Sequence, residues 1–375
     1  MPFAERYGLY SMNIIAKEKI LPVKYPMVTS FTYHADLFAV LETKEETKDW
    51  IYSNHILLTS ERYRRSFGEF VGFEFHPSMS CFLVCPWIKP QIMSREFIRT
   101  KYSCVREFFI DVLNQKSYIY VMINEEHIIR KLTGQEMGRV CHPLFIYGYD
   151  LTQNIFYIAD FLFRNNKYSF EEADIDDVCQ GYEEVMGHED ATIHERGGVF
   201  LLNYKGSNDD PNYRYDVYKF DTYLVKKSFE YYLEGRPGDY TLPMHTFATG
   251  STIPLDKCRL GVDSYSYLYE NLELVLEDRQ GILSNTAPHV IYDHKVLMLH
   301  RIEYMLLNGY LETDISIIDE IKEIQDKSLA LRNQHLKFRV TNNKKTLLRI
   351  IDGYKWIEEK ERKLYPRILT GLVEK

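Results

Sequence analysis

The stretch Val140–Phe161, "VCHPLFIYGYDLTQNIFYIADF", decides how the chain is read. Two runs of alternating apolar and aromatic residues flank "DLTQN", and period-two alternation about such a turn predicts an antiparallel hairpin. His142 opens the first arm and Asp160 closes the second, so pairing of the arms places both at the same open end. An imidazole beside a carboxylate is the base and orienter part of a nucleophile, base and orienter set. A nucleophile is therefore sought upstream.

Outward from the hairpin the same period recurs in "GEFVGFEFH", "SYIYVMIN" and "RGGVFLLNYKG", each read as a strand, and "SCFLVCPWI" is read as a further one. The segment Ser94–Asn114 carries Phe97, Ile98, Val105, Phe108, Phe109 and Val112 at helical spacing and is read as one helix. In "SFTYHADLFAVL", Ser30 or Thr32 is the expected N-cap of a helix reaching the mid-40s. The acid run "EEADIDD" is expected at a helix start, where carboxylates complement the dipole.

Beyond the turn-rich "NYKGSNDDPNYRY" the pattern becomes helical. After a helix that stops at Gly235, the four segments "VDSYSYLYENLELVLED", "YDHKVLMLHRIEYMLLNGYL", "DISIIDEIKEIQDKSLALRNQHLKFRV" and "KKTLLRIIDGYKWIEEKERKLYPRILTGLVE" carry apolar residues three and four apart. The expectation is an α+β domain with an antiparallel sheet over 1–212 and a mainly α-helical domain over 213–375. Two domains also suit 375 residues, since single cores rarely grow beyond ~250 to 300.

A formal charge of -8 argues against a sequence-independent grip on nucleic acid. No apolar run approaches the ~18 residues that cross a bilayer, so no membrane partner is expected. The six cysteines lack a repeated C-x-x-C spacing and no secretory apolar region precedes them, which predicts a cytoplasmic, reducing location. Cys141 faces the opposite side of its strand from His142 and is expected in the core. His294 and His300 are six apart, the wrong spacing for a helical metal pair; no metal or other cofactor is expected.

The order of a helix start at Thr32, then "HPLFIYGYD", then "YIADF", then "YDHKVLMLHRIEYM" resembles the papain-like butirosin-pathway acyltransferase family found with bacterial peptide and polyketide antibiotic clusters. The resemblance implies a papain-like sheet, His142 as general base, Asp160 as its orienter, and a nucleophile at the start of the first helix. That position holds no cysteine. Thr32 matches best, with Ser30 the other hydroxyl, Tyr33 contributing to an oxyanion site with the helix-start N–H groups, and His34 beside the cleft or on an exposed helix face. It further implies transfer or cyclisation of an acyl or peptidyl group from a carrier-protein thioester to a small-molecule or peptide acceptor. The rival expectation is a degenerate, non-catalytic scaffold that binds a carrier protein or a peptide product.

Overall fold

The structure, a computed structural model, describes residues 16–65, 68–76, 81–136, 138–162, 167–185, 198–206, 218–238, 257–279, 281–284 and 286–374. In chain order its main elements are β1 (Glu18–Ile20), α1 (Thr32–Leu41), α2 (Lys48–Ser53), β2 (Leu57–Arg65), β3 (Gly68–His76), α3 (Cys81–Val84), β4 (Ile88–Ser94), α4 (Arg95–Lys101), α5 (Val105–Asn114), β5 (Ser117–Asn124) and α6 (Glu126–Thr133). There follow β6 (Cys141–Asp150), β7 (Ile155–Asp160), β8 (Ser169–Asp174), α7 (Ile175–Glu184), β9 (Gly198–Tyr204), α8 (Thr222–Glu234), β10 (Cys258–Leu260), α9 (Ser264–Leu276), α10 (Ala287–Leu307), α11 (Ser316–Thr341) and α12 (Lys344–Gly371). The class is mixed α+β with a helical C-terminal region.

Two compact units divide the chain, and the division is not the expected single cut near 212. One unit combines the described residues up to Pro22 with Pro90–Tyr204; the other combines Val23–Lys89 with the residues from Lys205 onward. The segment carrying α1, β2 and β3 thus belongs with the C-terminal helices. Most of the "NYKGSNDDPNYRY" linker lies outside the described residues.

The first unit is built on a seven-stranded sheet in the order β4-β9-β5-β6-β7-β8, with β1 pairing the far end of β6. Strand β5 pairs antiparallel with both β9 and β6, which explains why "SYIYVMIN" is buried at all eight positions rather than alternating. Helices α5 and α7 cover one face: Phe109 meets Phe156 at 6.0 Å and Tyr182 at 5.6 Å. The expected single helix from Ser94 is two, capped at Ser94 through its hydroxyl and restarted after Cys104. Asp174 caps α7 and Asp176 and Asp177 fill its first turn, as the acid run implied, while the preceding glutamates belong to β8.

The second unit has a three-stranded sheet, β10-β2-β3, and a bundle of long helices. Helix α11 buries Ile317, Ile321, Ile324, Ser328, Leu331, His335 and Phe338, alternating steps of four and three that give a coiled-coil-like seam. Gly353 on α12 lets Leu331 approach to where a Cβ would stand 2.4 Å from its methyl group. The run "SCFLVC" forms the one-turn helix α3 and not a strand; an apolar run this short fits either period.

Candidate functional site

The hairpin forms as its alternation requires. Phe145 lies opposite Ala159 and Ile146 opposite Ile158, so continuing the register puts Asp160 across from Leu144 and diagonal to His142 on the same face. Diagonal side chains on one face are within reach of each other, and His142 Nδ1 donates to Asp160 Oδ2 at 2.9 Å. The Asp160 side chain is fully buried, whereas 39% of the His142 side chain is exposed. Its second oxygen accepts the Phe161 amide at 2.6 Å. With Nδ1 committed, Nε2 is the nitrogen available for proton transfer.

A third group, Glu125, was not anticipated. His142 lies opposite Ile123, and Glu125 is two residues further along β5's direction, which returns its side chain to the same face. Its Oε1 stands 3.7 Å from His142 Nδ1, and its side chain is 4% exposed. Asn124 locks this corner: its side-chain oxygen accepts the amides of Val140 at 3.0 Å and Glu126 at 3.3 Å, and its amide donates to Glu184 at 2.5 Å. The strand end before Glu125 and the strand start before His142 are therefore held by one side chain.

Burial alone would lower the His142 pKa, but the Asp160 and Glu125 carboxyls outweigh it and hold the imidazole up at about 11. Burial, reinforced by the Asp160 charge, pushes the Glu125 carboxyl well above the ordinary carboxylate range. At neutral pH the resting cluster thus holds an imidazolium, beside a Glu125 carboxyl that keeps its proton more tightly than a free one. One ligand atom from each of Glu125, His142 and Asp160 lies within 4.8 Å of the others, a spacing a divalent cation could bridge. Binding such a cation through Nδ1 would require that nitrogen to give up the proton it donates to Asp160, so the two states exclude each other.

The remaining expected site residues lie in the second unit. Thr32 begins α1 and is 6% exposed; the N-cap is Phe31, in extended conformation and without a side-chain cap, and not Ser30 or Thr32. The preceding segment is fixed from α10, where the buried Asp293 carboxylate accepts the Thr29 amide at 2.6 Å. Tyr33 stacks on Phe31 at 5.3 Å. His34 is not on an exposed face: it is fully buried against His55 and Phe75, at 5.4 and 5.3 Å, because every residue of α1 is buried. The Cys81 thiol donates to the Tyr33 carbonyl at 3.6 Å, close to the expected nucleophile position. Burial holds that thiol well above its usual pKa, so it stays protonated and inert. Cys141 is exposed rather than core, since it sits at the outer end of β6.

The chain matches no family model and no curated protein sequence. Among the described residues no helix is long and apolar enough to cross a membrane. Elsewhere on the first unit a surface cavity of ≈ 560 Å³ has Tyr147, Tyr157 and Phe170 in its lining together with two glutamates, Glu171 and Glu172.

Proposed function

We propose that the chain is a papain-like acyltransferase or cyclase of secondary-metabolite biosynthesis, working in the cytoplasm, with His142 as its proton carrier. The donor is an acyl or peptidyl thioester on a carrier protein and the acceptor is an amine, or an internal carbon nucleophile in a cyclisation. The observation that carries this reading is the 2.9 Å hydrogen bond from His142 Nδ1 to a fully buried Asp160, which fixes the ring with Nε2 free. In the amine case, neutral His142 takes the proton as the new C–N bond forms and returns it to the departing thiolate as the C–S bond breaks. No covalent enzyme intermediate is required, which suits a helix start where threonine stands in place of cysteine.

The test is turnover of an acyl thioester by the wild type, His142→Ala and Thr32→Ala. Loss in His142→Ala with retention in Thr32→Ala is the expected result, and it identifies direct base catalysis. Equal rates in all three sink the proposal. The near-complete burial of Thr32 favours the second reading, a scaffold that binds carrier or product without chemistry, and unchanged rates would select it.

The charge on His142 adds a pH signature. Opposite charge stabilises the imidazolium, so the neutral base becomes populated only as pH climbs toward about 11. Glu125→Gln removes one stabilising carboxyl while keeping the Asp160 hydrogen bond. Its rate limb is expected at lower pH than the wild type's, with a similar plateau; a limb that does not move removes Glu125 from the cluster.

A further inference from the structure

One face of the first unit's sheet gathers rings around its surface cavity. Along β7 the side chains alternate: Phe156, Ile158 and Asp160 take the face that packs on Phe109 of α5, while Tyr157 and Ala159 take the other. Residues directly opposite share a face, so Gly148, Tyr157 and Glu172 form one row on that second face, and Phe145, Ala159 and Phe170 form the next. The register shifts between Ile146 and Gly148, and this bulge in β6 re-aims Tyr147 to the same side. Its ring meets Phe170 edge-on at 5.6 Å and Tyr157 at 6.1 Å. Gly148 is what admits β1 here, because a Cβ at that position would stand 2.5 Å from the Lys19 carbonyl oxygen. The close approach sets Ile20, half exposed and paired with Gly148, in the lining of the cavity of ≈ 560 Å³.

The charge in this lining has one sign. Glu172 is exposed on the edge strand β8 directly opposite Tyr157, Glu171 precedes it, and Glu18 accepts the Tyr157 hydroxyl at 3.1 Å. Burial pushes the Tyr147 hydroxyl up to about 12, and Tyr157, Glu171 and Glu172 act in the same direction. Aromatic faces are themselves negative, so rings and carboxylates together favour a cation and disfavour an anion. A bare metal ion wants a full shell of oxygens and gains nothing from the rings. A sugar wants hydrogen-bond donors as well as acceptors. Among the described lining residues only the two tyrosine hydroxyls donate from side chains, and that of Tyr157 is committed to Glu18. We infer that this cavity binds an organic cation, an alkylated ammonium group carried on a small molecule, held against the Tyr147, Tyr157 and Phe170 rings and balanced by Glu172. Its volume falls within the ~300 to 1,000 Å³ of small-molecule sites. The cavity lies on the sheet face opposite Asp160, so it is a site separate from the His142 cluster and independent of the acyl-transfer reading.

The probe is choline, titrated into the full-length chain and read by calorimetry and by saturation-transfer NMR on its methyl signal. Its neutral isostere, 3,3-dimethylbutan-1-ol, has the same shape without the charge. It is expected to bind about threefold to thirtyfold more weakly, the range of a cation over aromatic faces. Phe170→Leu keeps apolar surface but removes a ring, and should weaken choline by a similar factor while leaving the isostere little changed. Glu172→Gln, at an exposed position, should weaken choline by about threefold and flatten its salt dependence. Equal affinity for choline and the isostere overturns the site. So does choline binding that neither variant changes, or no choline binding at concentrations on the order of 10 mM. Glucose bound in place of choline, and lost in Phe170→Leu, would also overturn it in favour of a sugar.

Discussion

Asp160→Asn is expected to lower kcat for thioester turnover by about 10³- to 10⁴-fold while leaving KM little changed. An amide at this position has the size of the carboxyl and can still meet Nδ1, but it no longer selects the tautomer that leaves Nε2 able to accept a proton. The buried, fully enclosed location of Asp160 means that no water substitutes for the lost oxygen. A second effect has a definite sign. Removing a negative charge from beside an imidazolium lowers its pKa, so the residual activity should develop at lower pH than in the wild type, whose His142 is held at about 11. Near-wild-type kcat in a folded Asp160→Asn protein would end the orienter assignment.

Glu361→Leu is expected to destabilise the second unit by about 3 to 5 kcal/mol, read by chemical denaturation. Lys295 and Glu361 form an ion pair whose side chains are 1% and 0% exposed. The pair is fully bonded: Glu361 accepts the hydroxyls of Tyr365 at 2.6 Å and Tyr232 at 3.0 Å, while Lys295 donates to His294 Nδ1 at 2.9 Å. His294 in turn donates from Nε2 to the Ile56 carbonyl at 2.8 Å, and burial holds its pKa well below the usual value, in the neutral form this chain requires. Removing the carboxylate strands a buried ammonium and two tyrosine hydroxyls. Lys295→Met combined with Glu361→Leu should recover most of the loss, since no unpaired charge is left. A double variant no better than the single would mean that the network, rather than the charge, carries the stability.

The hairpin was legible because two physical rules act locally. Period-two alternation sets which face each residue takes, and a short turn sets the register, so His142 and Asp160 could be paired from the sequence. Glu125 obeys the same alternation, but it follows the end of β5 and precedes a second glutamate at a helix start, where acids are ordinary. Its burial against His142 is a tertiary fact. His34 was illegible for a different reason: α1 is buried on every side, so a polar residue on it reports nothing about an exposed face. The misread run at Cys81 shows the limit of a short apolar segment, whose length is compatible with one helical turn or a strand. The compact units do not follow a cut near 212, because patterning along a chain locates changes in composition, and the second unit is assembled from two pieces of unlike composition.

That assembly has a consequence during synthesis. The pieces Val23–Lys89 and Lys205 onward are separated by Pro90–Tyr204, the larger part of the first unit. As the chain leaves the ribosome, β2 and β3 emerge early, with Leu57, Leu58, Val71, Phe73 and Phe75 destined for burial. Strand β10 and the helices that join their unit come last, on the order of tens of seconds later at ~5 to 20 residues per second. The intervening unit can close while this N-terminal hairpin still waits with an unpaired edge. Nascent chains stalled before β10 are therefore the form most exposed to chaperones and to aggregation.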